Sequence, residues 1–135
     1  MRTTEQILRE SHTIAVVGLS NNPSRDSYEV ARYLQRQGYR IIPVNPNVAE
    51  VLGEKSYPDV LSVPEKLDVV NIFRRSEEVS SIVDQAIAKK VAAVWMQLGI
   101  VNEEAAQTAR EKGLDIIMDR CMSVEHREMV RQSSK

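Results

Sequence analysis

Residues 13–25 read TIAVVGLSNNPSR: a run of apolar and β-branched residues, then a glycine, then a short polar stretch that ends in an arginine. The apolar run predicts a buried β-strand, and the polar stretch predicts a loop that leads into a helix. A strand–loop–helix junction presents backbone N–H groups and a helix N-terminus, and both favour a bound phosphate. The segment therefore predicts an α/β fold and a place for a phosphate-bearing ligand.

The same loop departs from the glycine pattern of dinucleotide-binding proteins. In the spacing G-x-G-x-x-G that begins at Gly18, Ser20 replaces the second glycine and Pro23 replaces the third. The second predicted strand ends at Val44 and is followed by Asn45, so the carboxylate that binds the ribose hydroxyls in a typical NAD site is missing. Both departures argue against NAD, but they leave open a nucleotide with a different arrangement of phosphates.

Strand and helix patterns alternate along the rest of the chain. Short, nearly continuous apolar runs, typical of strands covered on both faces, predict strands at 13–17, 40–44, 68–73, 91–96 and 114–118. Helical patterns lie at 4–10, 27–37, 76–89, 102–112 and 123–131, with Ser76 and Asn102 as N-caps of two of them. The alternation predicts a Rossmann-like, doubly wound parallel sheet of about five strands with helices on both faces. The irregular stretch 45–66 has room for one short extra strand near 55–57.

Length and composition narrow the class of protein. The chain has 135 residues, the size of one domain, and its 18 basic and 19 acidic residues give a net charge of −1. This balance argues against a nucleic-acid or membrane-surface partner. No signal peptide and no membrane-length apolar stretch is evident, and Cys121 is the single cysteine. We expect a soluble, cytoplasmic protein with one domain over residues 1–135.

Five loops are candidates for chemistry because each follows a predicted strand. They are 18–25, 45–47, 73–75, 97–99 and 119–121. In doubly wound folds, ligands bind outside the carboxyl ends of the strands, near the point where the strand order reverses. We therefore expect these loops to meet along one edge of the sheet and to form the ligand site.

Four motifs in these regions resemble those of a known family. They are VVGLSNNPSR at 16–25, PVNP at 43–46, NIFRR at 71–75 and WMQLG at 95–99. Their order and spacing resemble the small single-domain CoA-binding proteins, whose fold is similar to the N-terminal CoA-binding domain of the succinyl-CoA synthetase α subunit. The resemblance covers residues 4–130 and implies coenzyme A as the ligand.

The resemblance also implies which residues would contact CoA. Gly18, Ser20 and Arg25, with Leu19 in the same loop, would hold the pyrophosphate, and Asn45 and Pro46 would flank the adenosine. Ile72, Phe73 and Arg74 would line the adenine and phosphate side, and Gln97, Leu98 and Gly99 would face the pantetheine arm. The synthetase domain has a lysine shortly after the proline that follows its second strand, where this chain has Asn47 and Val48. Contact with the 3′-phosphate would then fall to Lys55 or Arg74.

Cys121 follows the last predicted strand at the same edge of the sheet. It is either a small buried hydrophobic residue or a thiol near the end of the pantetheine arm. Asp119 lies two residues away, and a neighbouring carboxylate would raise the thiol pKa. Elsewhere, the pattern places Trp95 in the core and His126 on a solvated helix face.

The chain shows no nucleophile paired with a base, no metal-ligand cluster and no convincing carboxylate pair. The first hypothesis is therefore a non-catalytic carrier, sensor or regulatory protein that binds CoA or an acyl-CoA. The alternative is an acyl-CoA- or nucleotide-dependent enzyme subunit that takes catalytic groups from a partner, and a third is a scaffold whose ligand is incidental. A homo-oligomer and a partner enzyme both remain open.

Overall fold

The computed structural model describes residues 1–134 and is built around a five-stranded parallel sheet. The strands are β1 (Thr13–Val17), β2 (Arg40–Val44), β3 (Glu50–Val51), β4 (Glu54–Lys55), β5 (Val69–Ile72), β6 (Ala93–Met96) and β7 (Asp115–Ile117). The main sheet has the order β2-β1-β5-β6-β7, and all its pairs are parallel. The chain passes outward from β1 to β2 and then returns to the other side of β1. The order therefore reverses between β1 and β5, which flank the switch point.

Helices cover both faces of the sheet, as the sequence predicted. They are α1 (Thr4–Glu10), α2 (Asp26–Arg36), α3 (Val79–Ala88), α4 (Glu103–Glu111) and α5 (Met122–Ser133), with a 3₁₀ helix at Ser76–Glu78. Side chains of α1, α2 and α5 share one apolar core with the sheet, and those of α3 and α4 share the other. The doubly wound α/β class is confirmed.

The central strands β1, β5 and β6 are almost entirely apolar because both of their faces are buried, and the exceptions are Thr13 and the fully buried Asn71. In β1, Ile14 and Val16 belong to the core on the α1, α2 and α5 side, whereas Ala15 and Val17 belong to the core on the α3 and α4 side. Successive strand residues point to opposite faces, so a strand covered on both sides favours apolar residues at nearly every position. This arrangement places the strand ends, rather than the strand faces, in contact with solvent.

One predicted helix start is wrong. Asn102 caps α4 as expected, since its side chain accepts a hydrogen bond from the backbone N–H of Ala105 at 2.9 Å. Ser76 does not cap α3. It begins the 3₁₀ helix, and its hydroxyl accepts a hydrogen bond from the backbone N–H of Val101 at 3.3 Å. The hydroxyl thus joins the loop after β5 to the loop after β6.

The connection between β2 and β5 has no helix. Its only regular elements within residues 1–134 are β3 and β4, which pair antiparallel, and an isolated bridge between Val44 and Tyr57. The extra strand predicted near 55–57 is therefore a two-residue strand that ends at Lys55. Within the same described range, no helix is long and apolar enough to cross a membrane.

Candidate functional site

Three adjoining cavities lie along the carboxyl edge of the sheet. Cavity A, about 720 Å³, lies between the loops after β5 and β6 and the start of α5, and Phe73, Gln97 and Cys121 are among its lining residues. Cavity B, about 430 Å³, lies between the loop after β2 and α3, and Asn45 and Pro46 line it. Cavity C, about 540 Å³, is formed by the loop after β1 and the start of α2.

The three cavities share lining residues at the switch point. Phe73 lines A and C, Arg74 lines A and B, and Gly18 lines B and C. The cavities are therefore parts of one groove, which runs from the end of β2 to the start of α5. The expectation that the strand-end loops meet along one edge is correct.

The close approach of two loops requires a glycine at position 18. Its φ is +88°, and a Cβ at this position would lie 2.5 Å from the carbonyl oxygen of Phe73 and 2.8 Å from Cδ of Arg74. Its N–H donates to the carbonyl of Val44 at 2.8 Å. Only glycine fits this conformation and this space, so packing alone accounts for the residue. The same packing makes Gly18 the floor where cavities B and C join.

Hydrogen bonds within the loop after β1 hold its shape. The backbone N–H of Ser20 donates to Oγ of Ser27 at 3.0 Å, and the N–H of Asn22 donates to Oγ of Ser20 at 3.0 Å. Arg25 is the exposed N-cap residue of α2. Within residues 1–134 its guanidinium makes no hydrogen bond or ion pair, so it is available to a ligand in cavity C.

Two predicted contact residues have side chains in the core. Leu19 is fully buried with α1, α2 and α5, and Ile72 is fully buried on the opposite face with α3 and α4. A ligand in the groove can therefore contact only their backbone. Strand residues alternate between the two faces, so Ile72 points into the core whereas the next residue, Phe73, lines cavities A and C.

Asn45 joins the loops after β1 and β2. Its Nδ2 donates to the carbonyl of Leu19 at 3.1 Å, and its Oδ1 accepts from the backbone N–H of Asn47 at 2.9 Å. The side chain thus acts within the protein, as a turn-forming asparagine does. Pro46 is exposed and lines cavity B.

The two acidic residues of the 3₁₀ helix that precedes α3, which were not predicted to be part of the site, pair with the arginines after β5. Nη2 of Arg74 lies 2.8 Å from Oε1 of Glu78, and Nε of Arg75 lies 3.5 Å from Glu77 and 3.6 Å from Glu78. The hydrogen bond from Arg74 lowers the pKa of Glu78. The side chain of Arg75 is 80% exposed, in agreement with the expectation that it is solvated.

The loop after β6 anchors the start of α5. Gln97 is buried, and its Oε1 accepts a hydrogen bond from the backbone N–H of Met122 at 3.1 Å. The N–H of Gly99 donates to Oδ1 of Asp119 at 2.7 Å. Leu98, between them, is 67% exposed and lines cavity A. Leu98 thus offers apolar surface to a ligand, while its neighbours hold the loop in place.

Cys121 is half-buried at the N-cap position of α5 and lines cavity A. Its Sγ lies 3.3 Å from Oγ of Ser123. Burial raises the pKa of the Cys121 thiol, but hydrogen bonds from the Ser123 side chain and the Val124 backbone outweigh it, so the pKa is lowered. The expected rise caused by Asp119 is therefore wrong, since the Asp119 carboxylate instead accepts the hydrogen bond from Gly99.

Two aromatic side chains outside the loops, Trp95 and His126, are both buried. Trp95 is fully buried, as predicted, and its Nε1 donates to the carbonyl of Arg120 at 2.8 Å. His126 is only 6% exposed, so its predicted place on a solvated face is wrong. Its Nδ1 lies 2.8 Å from the hydroxyl of Tyr33, and burial lowers its pKa. The spacing of Met122, His126 and Met129, at i, i+4 and i+7, was the sequence pattern that marks this buried face.

Comparison with known proteins assigns the family. The model of the CoA binding domain family matches residues 12–127, so the chain belongs to this family. The protein YneT of Bacillus subtilis (strain 168) is 43% identical over 122 residues, which are 90% of each chain. The α subunit of the ADP-forming acetate–CoA ligase II of Pyrococcus furiosus is 30% identical over 122 residues. That alignment includes 82% of this chain but only 27% of the ligase subunit.

Solved structures show the same fold. A hypothetical protein from Pyrococcus horikoshii OT3 superposes with a TM-score of 0.91 at 42% identity, over 96% of this chain and 93% of that one. The dinucleotide-forming acetyl-coenzyme A synthetase 1 of Ca. Korarchaeum cryptofilum has a TM-score of 0.74 at 29% identity, over 84% of this chain and 27% of that one. The chain is thus similar to whole small proteins and to one part of larger CoA ligases.

Proposed function

We propose that this protein binds coenzyme A or an acyl-CoA in the groove formed by cavities A, B and C, as a non-catalytic carrier, sensor or regulatory protein. The observation that carries the proposal is the continuity of the three cavities across the switch point, in a chain of the CoA-binding domain family. CoA is an elongated ligand with an adenosine, a pyrophosphate and a pantetheine arm. We also propose that residues 1–135 form a single CoA-binding domain.

The adenosine is assigned to cavity B. In doubly wound folds the end of the second strand lies beside the ribose of a bound nucleotide, and cavity B lies at the end of β2. Val60 and Ile82 give this cavity apolar walls against which a flat base can pack. Pro46 contributes exposed surface at the same place.

The pyrophosphate is assigned to cavity C and its junction with the rest of the groove. The loop backbone after Gly18, the N-terminus of α2 and the unpaired guanidinium of Arg25 all border this space. A helix N-terminus and an arginine fork are both favourable partners for phosphate oxygens. Asp26, the first residue of α2, also lines this cavity, so attraction to the pyrophosphate is expected to come from Arg25 and the backbone N–H groups in particular.

The pantetheine arm is assigned to cavity A. Phe73, which the resemblance places on the adenine and phosphate side, lines cavities A and C and not B, so it is reassigned to the pantetheine arm. With Leu98 and Ile100 it provides apolar contacts, and the polar side chain of Gln97 lies among them. With this orientation the arm leads away from the switch point towards α5. Its thiol then lies near Cys121 at the far end of the groove.

A second candidate function follows from the ligase relatives. The part of the Pyrococcus furiosus ligase subunit that matches this chain is about a quarter of that subunit. This chain would then present CoA to a partner that supplies the catalytic groups. Turnover of an acyl-CoA by the isolated chain would favour an enzyme, whereas turnover only with an added partner would favour this second function.

The proposal predicts that CoA binds more tightly than NAD. Ser20 and Pro23 replace two glycines of the NAD pattern, and the side chain after β2 is Asn45, whose amide is already hydrogen-bonded to Leu19. We expect isothermal titration calorimetry to give a dissociation constant for CoA at least about tenfold lower than for NAD, since one or two hydrogen bonds to the ribose are missing. Equal or tighter binding of NAD would contradict the assignment.

Replacement of Arg25 by alanine is expected to weaken CoA binding about ten- to hundredfold, the effect of losing a charge-assisted hydrogen bond of roughly 1.5–3 kcal/mol. The fold should keep its thermal stability, because the Arg25 side chain is exposed and makes no contact that an alanine would lose. Arg32→Ala, on an exposed position of the same helix outside the three cavities, is the matched control. An unchanged affinity for CoA in Arg25→Ala would show that Arg25 is only a solvated surface residue.

A further inference from the structure

Carboxylates dominate the charge of cavity B. Asp59, Glu77 and Glu78 line it, whereas Arg74 is the one cationic side chain among its described lining residues. Arg74 is already hydrogen-bonded to Glu78 at 2.8 Å, so its charge is largely matched inside the protein. Glu77 lies 3.5 Å from Nε of Arg75, so Asp59 is the lining carboxylate without a cationic partner among the described residues, and the cavity offers no free cation.

Lys55, the other residue predicted to contact the 3′-phosphate, lies outside cavity B. It is exposed on β4, and its Nζ lies 5.2 Å from the centre of the Tyr57 ring, a cation–π distance. Asn47 and Val48, which follow Pro46, supply no charge. The end of β2 therefore carries no cation that faces the cavity.

A phosphate on the ribose needs such a cation. A phosphate monoester carries about −1.5 to −2 charges at neutral pH. Dinucleotide sites that accept a phosphorylated ribose place an arginine beside it. Cavity B instead presents Asp59, Glu77 and Glu78 to such a phosphate, and among its described lining residues no cation is free of a carboxylate partner.

From these charges we propose that the groove does not select for the 3′-phosphate of CoA. The ligand class it takes is an adenosine diphosphate joined to a pantetheine arm, with or without a phosphate on the ribose, and at low ionic strength the form without this phosphate binds more tightly. The inference rests on the proposed function, because it assumes that the adenosine occupies cavity B.

The test compares CoA with 3′-dephospho-CoA by calorimetry at two salt concentrations. At low salt, about 20 mM, we expect dephospho-CoA to bind roughly three- to tenfold more tightly, since exposed charges interact over tens of ångströms there. At about 0.5 M salt the two dissociation constants should agree within roughly twofold, because the screening length falls to a few ångströms. Tighter binding of CoA at low salt, by threefold or more, would overturn the inference.

Three variants test which side chains cause the preference for dephospho-CoA at low salt. Glu77→Gln should reduce the low-salt preference, because it removes an exposed carboxylate from cavity B. Glu103→Gln, at an exposed first-turn carboxylate of α4 outside the three cavities, is the matched control and should leave the preference unchanged.

A selective loss of CoA affinity in Lys55→Ala would identify Lys55 as a phosphate ligand and overturn the inference. Binding of neither nucleotide at millimolar concentration is a separate outcome, which refutes the proposed function and the inference with it.

Discussion

Gly18→Ala is expected to lower the free energy of unfolding by about 2–5 kcal/mol, the sum of a left-handed backbone strain and an overpacking cost. The new methyl group would lie 2.5 Å from the carbonyl oxygen of Phe73, which is backbone and cannot rotate away. The loop after β5 would have to move, and Phe73 and Arg74, which link the three cavities, would move with it. We therefore also expect CoA binding to fall below detection.

Gly113→Ala separates the two causes of this loss. Gly113 has a φ of +83°, close to the +88° of Gly18, but a Cβ there would meet no atom within 4 Å. Its substitution should cost only the conformational penalty, about 1–2 kcal/mol, and should leave CoA binding intact. Urea denaturation of both variants measures the difference. Equal losses of stability would show that the close approach to Phe73 does not contribute to the loss in Gly18→Ala.

The sequence around Gly18 predicted the strands of the sheet but not their order. The run TIAVV before Gly18 predicted a buried strand, and the other apolar runs predicted the remaining central strands, because a strand with two covered faces favours apolar residues at nearly every position. The order of the strands in the sheet was harder to predict from the sequence. The reversal between β1 and β5 depends on which strands pair across the connection from β2, and no local pattern in that connection specifies the pairing.

The position of the groove could be predicted from the topology, whereas the burial and the partners of each side chain could not. The rule that ligands bind at carboxyl strand ends placed Phe73, Arg74 and Cys121 along one edge. Burial of Leu19 and Ile72 depends on how helices from distant parts of the chain cover them. The resemblance predicts Arg74 as a phosphate contact, but the packing of the loop after β5 pairs its guanidinium with Glu78.

A second large effect is expected at Cys121, which should form a mixed disulfide when the protein is treated with CoA disulfide. The prediction rests on the proposed orientation of CoA, which places the end of the pantetheine arm in cavity A beside this residue. In the exchange the Cys121 thiolate attacks one sulfur of CoA disulfide. A bond then forms between Cys121 and that sulfur, the sulfur–sulfur bond of the reagent breaks, and one CoA leaves as a thiolate that takes up a proton.

The reactivity of Cys121 follows from its surroundings. Burial alone would raise its pKa, but hydrogen bonds from Ser123 and from the start of α5 lower it, so more of the residue is thiolate at neutral pH than in an ordinary cysteine. Intact-mass analysis should show one added CoA per chain, removed by reductant, and no addition in Cys121→Ser. Glutathione disulfide, which lacks the adenosine and pantetheine groups, should react more slowly at the same concentration. Equal rates for the two reagents would mean that Cys121 is merely accessible, and an unmodified native protein would show that the thiol of bound CoA does not reach it.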